Sequence, residues 1–91
     1  EGKIIIILTG RDSAAKTPTV DWLEIHEIPY DYLFMRDYND MRKDRIVKKE
    51  IYENNIKGNF FVKLVLDDRN QVVDMWREEG IKCLQVEDGK H

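Results

Sequence analysis

A chain of 91 residues, 42 % apolar and 36 % charged, is expected to fold as one small globular domain, a composition that argues against wholesale disorder. The net charge of −3 argues against broad nonspecific attachment to nucleic acid. No apolar run approaches the length of a membrane span or forms a secretory signal, and the lone Cys83 offers no disulfide framework and suits a reducing cytoplasm.

In chain order, residues 3–8 form a strand candidate dense in isoleucine, whose continuous apolarity predicts burial on both faces. Thr17-Pro18 reads as a helix start, with threonine as N-cap and proline at the first helical position. That helix is predicted to run to about Glu27, burying Val20, Leu23 and Trp22, with His26 on its surface and Pro29 as its end. Residues 32–35 are a second, shorter strand. A helix over residues 43–54 carries Val47 and Ile51 on one stripe with Ile46 beside it, and Gly58 is its natural stop. Residues 61–66 form the third strand. The helix over residues 71–79 buries Val72, Val73 and Trp76 and leaves through Gly80, and residues 82–86 are the last strand. The core is thus expected over residues 1–86 of a single domain, with residues 87–91 as a frayed tail. Strands separated by helices of this length predict an α/β fold with a small parallel sheet of about four strands flanked by helices. The chain begins Glu1-Gly2-Lys3 without an initiator methionine and enters a strand almost at once, as expected of a piece of something longer.

Chemistry concentrates at the strand ends, which share one edge in a parallel sheet and are where open α/β sheets bind ligands. The third strand ends in Leu66-Asp67-Asp68-Arg69. Adjacent carboxylates repel, so a hard divalent cation such as Mg²⁺ is one reason to keep both ionised; the alternative is that Asp68 caps the next helix and Asp67 is solvated. The first strand ends in Thr9-Gly10-Arg11, where a hydroxyl, a flexible backbone and N–H groups can meet a phosphate or simply make a turn. Asp44 and Lys48 are four apart and share a helix face. They are either a surface ion pair or an oriented lysine that neutralises charge on a phosphoryl group. The basic run Arg42-Lys43, Arg45, Lys48-Lys49 reads as a solvated helix face that still permits recognition of one phosphate.

Hydroxyl, lysine and paired acids in this order resemble the haloacid dehalogenase superfamily of phosphotransferases, and within it the 3′-phosphatase domain of phage-type polynucleotide kinases. The resemblance runs through Arg42-Lys43-Asp44, Ile46-Val47-Lys48, Val62-Lys63-Leu64, Asp67-Asp68-Arg69, Gln71-Val72-Val73 and Met75-Trp76-Arg77, and continues at Gly80, Cys83 and Gln85-Val86. It implies that Thr9, Gly10 and Arg11 contact phosphate and substrate, that Lys48 supported by Asp44 holds the transferring phosphate, and that Asp67 and Asp68 position Mg²⁺. It also implies a substrate that is a polynucleotide 3′-phosphate end or a small phosphoester, and a cytoplasmic, phage-type setting.

The family's first motif, Asp-x-Asp-x-Thr, supplies the nucleophile and the general acid, and it does not occur in these 91 residues. The chain is therefore expected to be inactive alone, as the C-terminal part of a Mg²⁺-dependent phosphatase. The alternative is a non-catalytic phosphate-binding or accessory module. The resemblance places the nucleophile strand between residues 3–8 and 62–66. Without it, those two strands are expected to pair directly, in the order 2-1-3-4, or through a homodimer that joins their open edges.

Overall fold

The computed structural model describes residues 3–86; the expected tail, residues 87–91, lies outside the described residues. The chain divides into two compact units, Glu1–Arg42 and Lys43–His91.

In the first unit, β1 (Ile6–Asp12) lies parallel to β2 (Tyr32–Arg36), and the helix α1 (Lys16–Ile25) connects them. β1 starts later than predicted and runs past Leu8. At its entrance Ile5 is already engaged on the β2 side. Its N–H donates to Asp31 Oδ2 at 2.8 Å, and its carbonyl accepts from the N–H groups of Asp31 and Tyr32 at 2.8 and 3.2 Å. The ladder pairs Thr9 with Met35 and then Asp12 with Arg36, so Gly10 and Arg11 form a bulge. Arg36 ties this bulge down. Its Nε donates to the Gly10 carbonyl at 2.7 Å, and Nη1 donates to the carbonyls of Asp40 and Arg42 at 2.8 and 2.7 Å.

A 3-10 turn, Ser13–Ala15, leads into α1, with the Asp12 carboxylate accepting from the Ala14 N–H at 2.9 Å. Helix α1 therefore opens at Lys16 and not after a Thr17 cap. Pro18 remains in the first turn, where an N–H has no intrahelical partner to lose. Thr19 and Leu23, four residues apart, are the buried stripe. Trp22, expected inside, is 52 % exposed because it stands beside that stripe, and its ring rests on His26 at a centroid distance of 4.3 Å.

In the second unit α2 spans Asp44–Ile51 and buries Val47 and Lys48, while Ile46 is exposed. The chain continues into a π-helical turn, Tyr52–Ile56, which buries Tyr52 and Ile56, two core residues beyond the predicted stripe. β3 is only Val65–Asp67, shorter than the expected 61–66, and Phe61 is 87 % exposed. Its parallel partner β4 is Cys83–Gln85, paired residue for residue with Val65–Asp67. α3 (Asn70–Glu78) buries Val72, Val73, Met75 and Trp76. It exits as predicted through Gly80, at φ +82°, with Ile81 N–H bonded to the Trp76 carbonyl and Gly80 N–H to that of Arg77. This is a Schellman closure that needs the left-handed conformation. A Cβ at Gly80 would meet no atom within 4 Å. Gly80→Ala is therefore expected to cost only the backbone penalty, about 1–2 kcal/mol, and Gly80→Asn less. The urea midpoints of the two variants check this ordering.

The small parallel α/β architecture is as predicted, and so are the 2-1 and 3-4 pairings; among the described residues only the direct pairing of strands 1 and 3 does not form. Two two-stranded sheets form, β1-β2 and β3-β4, and no ladder joins Ile5–Ile7 to Lys63–Val65. The backbone of Ile5 faces Asp31 and Tyr32, as the 2-1 pairing requires, and Lys63 and Leu64 precede the start of β3. Nor does continuous apolarity give burial on both faces, since Ile4, Ile5, Leu64 and Leu66 are exposed. No described helix is long and apolar enough to cross a membrane.

Candidate active site

The predicted site residues fall in both units. Asp44, Lys48, Asp67 and Asp68 belong to the second unit, whereas Thr9, Gly10 and Arg11 lie in the β1 bulge of the first. In the bulge, the Arg11 N–H donates to Thr9 Oγ1 at 3.1 Å. The threonine hydroxyl thus serves as acceptor and keeps its own O–H for another partner. The described glycines with positive φ are Gly58 and Gly80, so Gly10 is not held in a left-handed conformation. Its place in a bulge re-aims the side chains on either side of it.

In the second unit, Asp44 is the first residue of α2 and Lys48 lies one turn on, buried on the inner face. Asp67 is the last residue of β3. Lys48 Nζ and Asp67 Oδ2 are 3.4 Å apart, with side chains only 10 % and 11 % exposed. The lysine read as a possible surface partner of Asp44 is therefore turned inward to the paired-acid motif. Asp44 Oδ2 is 3.4 Å from Arg69 Nη1. The second oxygen of Asp67, Oδ1, accepts from the Asp68 N–H at 2.9 Å, and Oδ2 also accepts from the Trp76 indole N–H at 3.3 Å. Asp68 does not cap α3, whose N-cap is Arg69. Gln85 fixes the Asp68 backbone, donating from Nε2 to its carbonyl at 2.8 Å.

Other members of the basic run are paired locally. Lys49 meets Glu79 at 3.3 Å and Arg42 meets Asp40 at 2.7 Å. The Arg42 guanidinium and backbone N–H hold the Asp40 carboxyl at about 2, below its usual 3.8. Arg69 and Trp76 are site residues that the reading of the sequence did not single out. Arg69 directly follows the paired acids, a position that could have flagged it. Trp76 looked like core, because its contact with Asp67 spans nine residues and leaves no spacing signature.

Mg²⁺ suits hard oxygen donors and is often held by one or two carboxylates together with water and substrate phosphate. Asp67 and Asp68 supply that donor chemistry, although no group of three or more His, Cys, Asp or Glu gathers among the described residues. Cys83, in β4, is not part of the donor set. Burial, and then the negative charge of Asp67, pushes its thiol up from the usual value of 9.0. Iodoacetamide at pH 8 is expected to leave Cys83 unmodified in the folded chain and to alkylate it in urea, as mass spectrometry would read out.

A family model described as "Polynucleotide kinase PNKP phosphatase domain" matches residues 1–91. The chain belongs to this phosphatase-domain family. A relative from Autographa californica nuclear polyhedrosis virus, "Putative bifunctional polynucleotide kinase/RNA ligase", is 38 % identical over 76 residues, covering 82 % of this chain and 11 % of the relative. Two solved structures, "Structure of Pnkp1/Rnl/Hen1 complex" and "Structure of the Pnkp1/Rnl/Hen1 RNA repair complex", each contain a chain 50 % identical to this phosphatase-family chain. Each superposes with a TM-score of 0.97 over 100 % of it, covering 32 % and 30 % of those chains. The phosphatase-family chain thus spans about a third of the solved chains it matches.

Proposed function

We propose that this chain is the lysine- and acid-bearing part of a phosphatase that removes 3′-phosphates from RNA ends during repair, with Mg²⁺ as its cofactor. The observation that carries the reading is the buried Lys48–Asp67 pair. It joins the lysine and the paired acids of the resemblance in one place, within a family match that spans the whole chain. The RNA end follows from the RNA ligase and RNA repair named for the relatives.

In this reading Lys48 exchanges Asp67 for a phosphate oxygen and neutralises charge that grows as the phosphoryl group moves. Asp44, at the start of α2, holds Arg69 beside the site. Thr9 donates its hydroxyl to phosphate, and Arg11 contacts the polynucleotide. Asp67 and Asp68 would hold Mg²⁺, which supplies Lewis-acid stabilisation of the phosphoryl oxygens when bound. The nucleophile is the first aspartate of an Asp-x-Asp-x-Thr motif, which these 91 residues lack.

A 3′-phosphorylated RNA oligonucleotide with Mg²⁺ tests the proposal through release of inorganic phosphate. The 91-residue chain is expected to release none. A longer protein that carries the first motif together with this chain should release it, and Lys48→Ala should slow that protein about 10²–10³-fold. Turnover by the 91-residue chain that disappears in Asp67→Asn would overturn the reading and imply another nucleophile. A longer protein that carries the first motif yet binds the oligonucleotide without releasing phosphate would favour the non-catalytic module.

A further inference from the structure

We propose that Trp76 is a positioning residue for the Asp67 carboxylate: its indole N–H fixes the orientation in which Asp67 meets a divalent cation. The inference rests on the Mg²⁺ reading above for its purpose, but on geometry for its substance. Asp67 is held by three donors from three directions: Lys48 Nζ from α2, the Asp68 backbone N–H, and Trp76 Nε1 from α3. They differ in stiffness. Lys48 ends a flexible four-carbon stem and must leave Asp67 if it is to serve a phosphate. The Asp68 N–H touches only Oδ1, so the carboxylate can still rock about that contact. Trp76 alone brings a rigid ring to Oδ2.

That ring cannot easily move. Trp76 is 4 % exposed and lies on the buried stripe of α3. The edge-to-face contact with Tyr52, at a centroid distance of 5.4 Å and 89°, fixes its plane. Tyr52 directly follows α2, the helix that carries Lys48. The two helices that flank the paired acids therefore both reach the same oxygen, one through an exchangeable ammonium and the other through a locked indole. A buried indole N–H needs an acceptor in any protein. Here that acceptor is the carboxylate that the proposed chemistry uses, so the bond sets the direction of its remaining lone pairs. When Lys48 turns to phosphate, Trp76 keeps Asp67 from following it or turning away.

The test uses the full 91-residue chain labelled with ¹⁵N. Two indole N–H signals are expected, and the one lost in Trp22→Phe, a change at an exposed position, belongs to Trp22, which assigns the other to Trp76 and keeps Trp22 as internal reference. Without metal, the Trp76 signal should lie downfield and exchange slowly with solvent. In Asp67→Ala it should move upfield and exchange severalfold faster, with Asp67→Asn intermediate and Trp22 unchanged. Both Asp67 variants keep Trp76, so this arm stands whether or not Trp76→Phe folds. An indole signal that ignores both Asp67 variants would overturn the proposal. Trace Mn²⁺ supplies the second arm, by broadening the Asp68 amide. Trp76→Phe keeps an aromatic ring against Tyr52 but lacks the donor, and should require severalfold more Mn²⁺ for the same broadening. Equal Mn²⁺ sensitivity in folded Trp76→Phe would show that the indole merely satisfies itself, which also overturns the proposal. If the wild-type chain shows no broadening at Asp68 while the indole still responds to Asp67, the cation reading fails and the indole–carboxylate bond survives it.

Discussion

Lys48→Ala is expected to lower the unfolding free energy of the chain by about 3 kcal/mol, because it strands a carboxylate in a nearly closed site. Lys48 and Asp67 are about nine-tenths buried, so water repays little of the charge that Asp67 keeps once its cation is gone. The indole and the Asp68 N–H would remain as donors, but neither carries a compensating charge. The double variant Lys48→Met with Asp67→Asn should recover much of the loss, since an uncharged pair of similar volume removes the unpaired ion. A double-mutant cycle in urea reads this directly, and coupling of about 1–3 kcal/mol is expected for groups in direct contact. Additive effects of the two changes would mean that the pair is a loose surface contact and that Lys48 is buried for its methylene stem alone.

Lys48 also marks the boundary of what the sequence could reveal. Its spacing to Asp44 suggested a shared helix face, and α2 does carry both residues. Spacing along one helix cannot report what lies across from it, so the meeting with Asp67, nineteen residues away, was beyond its reach. The helices were legible because local signals agree with tertiary packing: Val72, Val73 and Trp76 at helical spacing are buried, and Gly80 closes α3. Strand extent was not legible. Apolar character alone extended β3 back to Phe61, whereas only Val65–Asp67 find partners, in Cys83–Gln85. Arrangement of the strands in one sheet failed for a related reason. Apolar edges show that a strand can pair, and the 2-1 and 3-4 pairings form, but apolarity does not say that strands 1 and 3 pair with each other. The motif at residues 9–11 lies inside β1 and not beyond its end, and the bulge that holds Gly10 and Arg11 has no signature in Thr-Gly-Arg.

Trp76→Ala should be the most destabilising single change in the second unit, at about 3–5 kcal/mol. The side chain is almost wholly buried, with Val72, Val73 and Met75 on the same helix also buried. Its removal would open a cavity beside Tyr52 and delete the edge-to-face contact, worth about 0.5–1.5 kcal/mol beyond area burial. It would also take a donor from the Asp67 carboxylate. Trp76→Phe separates these effects. It keeps most of the ring volume and a surface for Tyr52, so its cost should be dominated by the lost hydrogen bond to a charged group, about 1.5–3 kcal/mol. Urea unfolding of the two variants should therefore rank Trp76→Ala well below Trp76→Phe, and both below wild type. If the alanine variant proved no worse than phenylalanine, the ring volume would contribute nothing, and the contact of Trp76 with Tyr52 could not be part of what holds α3 in place. If phenylalanine proved as stable as wild type, the 3.3 Å contact to Asp67 would carry no energy, and Lys48 with the Asp68 N–H would hold that carboxylate unaided.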